Sequence, residues 1–233
     1  MSTKCSMVGR HTGSDTPDLH YLLEGVTTFR RDVFPANEEL FKSLAYEQAP
    51  HTLFITCADS RISPEMITQT GPGELFVCRN IGNIVPTYGE MLGGVSAVVE
   101  YAVTVLNVRN IVVCGHSDCG AMKGLAAGIS LADKMPTVHA WLRNAEAARS
   151  VTLSSNIKGD HIVHAITKEN VRLQLTHLYT HPAVAARLSQ GLLAVQGWVY
   201  DIQHGEVSIL DDGGDRFLTL DEALGHLQRP VAP

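Results

Sequence analysis

Residues 52–61 read TLFITCADSR, and residues 110–119 read NIVVCGHSDC. Each stretch opens with a short apolar run, over 52–56 and 110–114, that is too short for a helix and rich in strand-forming residues. Such runs are typical of strands buried on both faces of a parallel sheet. Between them, apolar residues at helical spacing predict a crossover helix over 92–106. Strand, helix and strand in this order predict a parallel sheet.

The flanking patterns extend this α/β interpretation. Another strand is predicted over 75–78, and strands at 193–201 and 206–210 flank the turn Gln203-His204-Gly205 as a hairpin. Helical spacing predicts further helices at 19–29, 37–48, 121–127, 134–149 and 160–178. We expect a flexible lead over 1–16, a single α/β domain over 17–228 and a tail over 229–233.

Composition limits the classes of function. The 233 residues are 45% hydrophobic, which is enough for one substantial core. Eighteen basic against 24 acidic residues give a net charge of -6, without a basic stripe to match a phosphate backbone, so we expect no nucleic-acid partner. The sequence shows neither an apolar signal region nor a run of about 20 apolar residues, so we expect a cytoplasmic protein without a membrane span. Five cysteines in such a chain indicate free thiols rather than disulfides.

Two residue types that bind zinc follow the predicted strands directly. Cys57 follows the first strand and His116 follows the third, so both lie at carboxyl ends, where ligands gather in an open parallel sheet. Adjacent strands are about 5 Å apart, so the two side chains can converge. Cys119 lies three residues after His116, which predicts that it returns one helical turn later to the same side. Two thiolates and one imidazole favour Zn²⁺ over Mg²⁺ or Ca²⁺.

The fourth ligand position admits two arrangements. If Asp59 binds the ion, the site is closed; if Arg61 draws the carboxylate into an ion pair, the position is free for a water molecule whose pKa the metal lowers. Asp118 is interpreted as a turn or cap residue rather than a ligand. The closed arrangement corresponds to a noncatalytic zinc module, and the open one to an enzyme.

A thiol phosphatase is a second enzyme class that some of these residues would suit. Cys57 as a nucleophile and Arg61 as an anion clamp would suit a thiol phosphatase. Such a site needs a longer loop that wraps a phosphate with backbone amides, and Asp59 would repel the phosphate. These residues therefore favour a metal site.

The combination Cys57-x-Asp59-x-Arg61 with His116-x-x-Cys119 closely resembles the β-class carbonic anhydrases. The resemblance covers residues 17–212 and extends through Glu74-Leu75-Phe76, Arg79-Asn80-x-x-Asn83, Glu100-Tyr101-Ala102, Gly115-His116-Ser117, Gly120 and Gly197-Trp198-Val199-Tyr200-Asp201. It implies a lyase with one zinc per subunit that interconverts carbon dioxide and bicarbonate. It also implies a mostly parallel central β-sheet flanked by helices, and an N-terminal helical arm that packs on a second subunit in a homodimer or homotetramer.

The resemblance also implies roles for individual residues. Its zinc ligands fall on Cys57, His116 and Cys119, its aspartate–arginine dyad on Asp59 and Arg61, and its substrate pocket on Gln48, Phe76 and Tyr101, which reach the zinc across a subunit boundary. A zinc-held hydroxide oriented by Asp59 would attack carbon dioxide in that pocket. Phe54 and Thr56 replace the tryptophan and glycine of bicarbonate-regulated members, which favours the plant-like, open-site type. Some relatives hydrolyse carbonyl sulfide or carbon disulfide on the same scaffold, and this alternative stays open.

Overall fold

The computed structural model describes residues 19–90, 93–128, 133–155 and 157–227. The predicted lead over 1–16 and the predicted tail over 229–233 lie outside these residues. The chain divides into two compact units, Met1–Glu47 and Gln48–Pro233. The prediction of one domain over 17–228 stays a prediction.

The first unit is helical. Its helices are α1 (Leu19–Thr28), α2 (Phe34–Ala36) and α3 (Glu38–Leu44), with a π-helical turn at Phe29–Val33 between the first two. The rings of Phe29, Phe34 and Phe41 contact one another with centroids 5.4 to 6.2 Å apart. None of the residues in α1 is buried. Both helices predicted in this part of the chain are present, and the second is shorter than expected.

The second unit contains one six-stranded sheet in the order β2-β1-β3-β4-β5-β6. The strands are β1 (Thr52–Cys57), β2 (Leu75–Asn80), β3 (Asn110–His116), β4 (Ala194–Asp201), β5 (Glu206–Leu210) and β6 (Phe217–Leu218). β2, β1, β3 and β4 are parallel, whereas β5 and β6 are antiparallel additions. The predictions of a mostly parallel sheet and of a hairpin formed by β4 and β5 are confirmed.

Helices lie between the strands and after β6. They are α4 (Pro64–Thr68), α5 (Gly94–Thr104), α6 (Gly120–Ala127), α7 (Pro136–Leu142), α8 (Glu146–Ser154), α9 (Ile162–Tyr179), α10 (Pro182–Ser189) and α11 (Leu220–Leu227). The helix predicted over 134–149 is two helices, because a 3₁₀ turn at Arg143–Ala145 interrupts it. The sequence interpretation missed α4, α10 and α11. In the described part of the chain, no helix is both long enough and apolar enough to cross a membrane.

Side-chain alternation places apolar residues on both faces of the sheet. Leu53 and Ile55 of β1 face a core that includes residues of α5, α9 and α10, whereas Phe54 packs in a smaller cluster on the opposite face. All three are at most 1% exposed, and burial of such a side chain contributes about 1.5 to 3 kcal/mol. This double burial explains the continuous apolar runs.

The register defines two edges of the parallel sheet. The carboxyl edge is where β1 ends at Cys57, opposite Asn80, and where β3 ends at His116, opposite Tyr200. The amino edge is where Thr52 lies opposite Leu75 and Asn110. Residues on a parallel strand rise about 3.3 Å each, so the six residues of β1 separate the two edges by about 16 Å.

Candidate metal centre

Cys57, His116 and Cys119 converge at the carboxyl edge. Cys57 is the last residue of β1 and His116 the last residue of the adjacent strand β3, as expected from the two apolar runs. The potential ligand atoms of the three side chains lie within 4.8 Å of one another, and all three residues are buried. The part of the chain that the structure describes holds no second group of this kind.

The path from His116 to Cys119 differs from the prediction of a helical turn. β3 ends at His116, and α6 begins only at Gly120. Between them Asp118 has a left-handed backbone with φ of 59°, which reverses the chain and returns Cys119 to the site in an extended conformation. Aspartate tolerates the left-handed region better than most residues. The prediction was wrong about the local conformation, although the two side chains do meet.

The imidazole of His116 has the hydrogen-bonding arrangement that is typical of a metal-binding histidine. Its Nδ1 lies 2.8 Å from the backbone oxygen of Ser117 and donates the ring proton to it. This contact leaves the lone pair on Nε2, which is buried and has no hydrogen-bond partner. A buried polar atom without a partner costs about 1 to 3 kcal/mol. A cation held by this nitrogen and the two sulfurs would remove that cost, so the donor set fits Zn²⁺.

The two thiols influence each other's ionisation. A hydrogen bond with Cys119 lowers the pKa of Cys57, against the effect of burial, and His116 and the amide of Gly82 lower it further. The pKa of Cys119 is raised, first by the same hydrogen bond and then by burial and the charge of the Cys57 thiolate. The protein alone therefore favours one thiolate. A divalent cation between the sulfurs would stabilise both.

Asp59 forms a bidentate ion pair with Arg61. Nε of Arg61 donates to Oδ1 of Asp59 at 2.9 Å, and Nη2 donates to Oδ2 at 2.8 Å. The backbone amide of Arg61 also donates to Oδ1, at 3.0 Å. These contacts, the side-chain hydrogen bond first, hold the pKa of Asp59 far below its usual range. Oδ2 lies 3.9 Å from Nε2 of His116, which is too long for a hydrogen bond.

Two further charged residues contact this pair, and the sequence interpretation gave neither a role in the site. Arg79 donates from Nη2 to the backbone oxygen of Asp59 at 2.6 Å and from Nε to that of Cys57 at 3.1 Å. Asp118 accepts a hydrogen bond from Nη1 of Arg61 at 3.1 Å. Arg79 was recognisable from its place in a motif, whereas nothing in the local sequence pairs Asp118 with Arg61.

A buried loop over 82–86 covers the cluster from the side of α6 and is fixed by α9. Ile84 of this loop packs in the same apolar cluster as Cys57 and Cys119. On its other side, Asn170 donates to the oxygen of Gly82 at 3.0 Å, and Gln174 accepts from the amide of Val85 at 2.8 Å. The sequence interpretation missed this polar support, because Asn and Gln on a helix are usually exposed.

The predicted substrate residues lie elsewhere. Phe76 is at the start of β2 opposite Leu53, so its backbone is about 13 Å along the sheet from the level of Cys57. Its ring is 6.0 Å from that of Tyr101 on α5, which is 44% exposed. Gln48 precedes β1 and is exposed. The structure therefore brings Phe76 and Tyr101 together at the amino edge, away from the metal cluster of the same chain.

Comparison with known proteins gives a consistent family. A family model described as "Carbonic anhydrase" matches residues 52–207, which include the three clustered side chains and the Asp59–Arg61 pair. The carbonic anhydrase of Pseudomonas aeruginosa is 52% identical over 202 residues, covering 86% of this chain and 91% of that protein. Thus the match extends over most of both sequences.

Solved structures agree with the sequence comparison. The β-carbonic anhydrase CcaA aligns with a TM-score of 0.85 and 42% identity, covering 87% of this chain and 100% of that one. A tetrameric β-carbonic anhydrase from the ascomycete Sordaria macrospora aligns with a TM-score of 0.73 and 31% identity, covering 82% of this chain and 96% of that one.

Proposed function

This chain belongs to the family of β-class carbonic anhydrases, and we propose that it interconverts carbon dioxide and bicarbonate with one zinc ion per chain. The observation that carries this proposal is the buried Nε2 of His116, which has no hydrogen-bond partner, in a group whose potential ligand atoms, from His116, Cys57 and Cys119, lie within 4.8 Å of one another. These three residues would hold the metal. When bound, zinc would lower the pKa of a water molecule and so supply the nucleophile.

Asp59 would orient the attacking water. Its carboxylate is ionised because Arg61 holds its pKa low, and its Oδ2 lies 3.9 Å from the ligand nitrogen of His116. An ionised oxygen at this place accepts a hydrogen bond from the water and fixes its orientation toward the carbon of the substrate. Arg61 keeps both oxygens of Asp59 engaged, which supports the open arrangement rather than the closed, noncatalytic one.

Gln48, Phe76 and Tyr101 would form the substrate wall of a neighbouring subunit. An aromatic wall with one amide donor suits carbon dioxide, which is apolar and a weak acceptor. Since Phe76 and Tyr101 lie at the amino edge, a second copy must present them to the metal cluster. We therefore propose a homodimer or homotetramer. The exposed leucines of α1, with Leu22 61% and Leu23 63% exposed, support an arm that packs on that copy.

The test of the proposal is the variant Cys57→Ser. We expect zinc content and carbon dioxide hydration to fall together, because a serine hydroxyl is a poor zinc ligand. The matched control is Cys114→Ala, which removes a buried thiol on the opposite face of the sheet and should retain both. Full hydration activity and stoichiometric zinc in Cys57→Ser would contradict the proposal.

Two alternatives are outcomes of the same assays. Stoichiometric zinc in the unaltered protein, without hydration at any pH, would indicate a noncatalytic zinc module. Hydrolysis of carbonyl sulfide or carbon disulfide with no carbon dioxide hydration would assign the other substrate class. The proposed cytoplasmic location is tested separately by cell fractionation.

A further inference from the structure

We propose that Asp118 is a positioning residue that holds Arg61 in place and thereby keeps Asp59 in its ion pair. This inference rests on the proposed function. Arg61 donates to two acidic residues at once: to Asp59 as described, and to Asp118 through Nη1 to Oδ2 at 3.1 Å and through Nη2 to the backbone oxygen at 3.3 Å. The guanidinium is therefore anchored on two sides, by loops that follow two different strands.

The second anchor matters because Arg61 is 44% exposed. A single exposed ion pair contributes little, since water competes for both partners and the long side chain loses rotamer freedom. A planar guanidinium with hydrogen bonds along two edges is restricted in both position and orientation. Asp118 supplies the contacts that Asp59 alone does not provide.

Asp118 is itself held from two directions. Lys123 of α6 contacts its Oδ1, which leaves Oδ2 for Arg61. Its left-handed backbone, with φ of 59°, also sets the direction in which its side chain leaves the main chain. These contacts form a network of side chains with alternating charges, which runs from Lys123 through Asp118 and Arg61 to Asp59.

Asp59, at one end of this network, lies beside the proposed metal ligands. Oδ2 of Asp59, the oxygen bound by Nη2 of Arg61, is also the oxygen 3.9 Å from Nε2 of His116. A small displacement of the carboxylate toward His116 would bring it to the ligand position. Loosening Arg61 by removal of the Asp118 carboxylate would therefore favour the closed arrangement.

The test uses two variants that keep the left-handed backbone. Asp118→Gly removes the side chain without steric cost at positive φ, whereas Asp118→Asn tolerates the same backbone and retains one acceptor for Arg61. The matched control is Asn107→Gly, because Asn107 is also left-handed, with φ of 53°, and accepts from Arg187 at 3.0 Å, but it lies before β3 at the amino edge.

The probe is thiocyanate, titrated by visible absorption into protein whose zinc has been replaced by cobalt(II). An anion binds the metal only where Asp59 has left the position free. We expect Asp118→Gly to shift the ratio of closed to open arrangements about two- to fivefold toward the closed one, in line with about 0.5 to 1 kcal/mol for such an ion pair, so that thiocyanate binds more weakly by up to that factor. Asp118→Asn should recover most of that affinity, and Asn107→Gly should match the unaltered protein.

The outcomes separate the inference from the proposed function. Unchanged thiocyanate affinity in Asp118→Gly overturns the positioning role. Equal weakening in both Asp118 variants, accompanied by equal losses of thermal stability, also overturns it, because that pattern indicates a structural turn residue. If the unaltered cobalt protein neither binds thiocyanate nor hydrates carbon dioxide, the proposed function fails and the inference with it.

Discussion

The two edges of the parallel sheet carry different halves of the proposed site. At the carboxyl edge, Cys57, His116 and Cys119 are buried and meet within 4.8 Å inside one chain. At the amino edge, Phe76 and Tyr101 form an open aromatic wall without a metal-ligand cluster beside it in the described residues. Under the proposed function, one chain would supply the metal-binding half of a site, and a second copy would supply its substrate wall.

The edges also differ in what holds them. The carboxyl edge is supported by buried hydrogen bonds between α9 and the loop over 82–86, and by the network of charged side chains that includes Arg61. At the amino edge, Tyr101 is exposed, and Phe76 is half-buried, where it packs against the main hydrophobic core and the ring of Tyr101. Substitutions at the two edges should therefore give different patterns of stability and activity.

The largest expected effect is at the carboxyl edge. Removal of bound metal with a chelator should abolish carbon dioxide hydration and lower the thermal unfolding temperature, because a thiolate, a thiol and the unpartnered Nε2 of His116 remain buried together. Added zinc should restore both quantities. Full activity in protein shown to be free of metal would remove the carboxyl edge from the mechanism.

The next effect concerns the arm that is proposed to bring the two edges together. The double variant Leu22→Asp/Leu23→Asp should dissociate the oligomer, because two leucines contribute about 3 to 6 kcal/mol when buried at an interface. Activity should fall with dissociation, as measured by sedimentation and hydration rates at the same protein concentration. Leu153→Asp, at a site that is 46% exposed on α8, is the matched control. An active monomer would show that the amino edge of a second copy is not part of the catalytic site.

A moderate effect is expected at the amino edge itself. Tyr101→Ala should lower kcat/KM about 10- to 200-fold, as expected for loss of apolar contact with a substrate, while zinc content stays stoichiometric. Tyr101→Phe keeps the ring and should stay within about twofold, since the proposed role of Tyr101 is apolar contact through the ring and not a hydrogen bond from the hydroxyl. A reversed order, with Phe worse than Ala, would assign the hydroxyl rather than the wall to the reaction.

The smallest effect on activity is expected for the hydrogen bonds between α9 and the loop over 82–86, which lie behind the carboxyl edge. Gln174→Ala leaves the amide of Val85 and the amide oxygen of Asn170 without their partner and should lower the free energy of unfolding by about 2 to 4 kcal/mol. Thr152→Val, which removes a buried hydroxyl on α8, should cost about 1 kcal/mol or less. Urea unfolding measures both. Equal free energies of unfolding for the two variants would show that the hydrogen bonds of Gln174 do not support the loop over 82–86.

Much of the sheet could be predicted from the sequence because its strands are buried on both faces. β1 and β3 appear as continuous apolar runs, and the sequence pattern permits but does not require their adjacency, because β2 lies between them along the chain. By contrast, β6 has two residues, and an element so short depends on contacts with the rest of the fold. Local patterns therefore did not reveal it.

The candidate site divides in the same way. Residue type and strand position predicted where Cys57 and His116 would meet. The contact of Asp118 with Arg61 joins residues 57 positions apart and depends on one left-handed backbone angle, which no local pattern encodes. Asn170 and Gln174 occupy helix positions four residues apart, where polar side chains usually face water, and only the packed structure shows them buried.

The most direct test of the central claim is complementation between two inactive variants. Cys57→Ser lacks a metal ligand at the carboxyl edge, and Phe76→Ala/Tyr101→Ala lacks the wall at the amino edge. If one site is built from the two edges of different chains, co-expression should recover about a quarter of the unaltered activity per chain, since half of the randomly formed dimers contain one intact site. Mixed dimers, isolated by two affinity tags, that stay as inactive as their parents would contradict the claim.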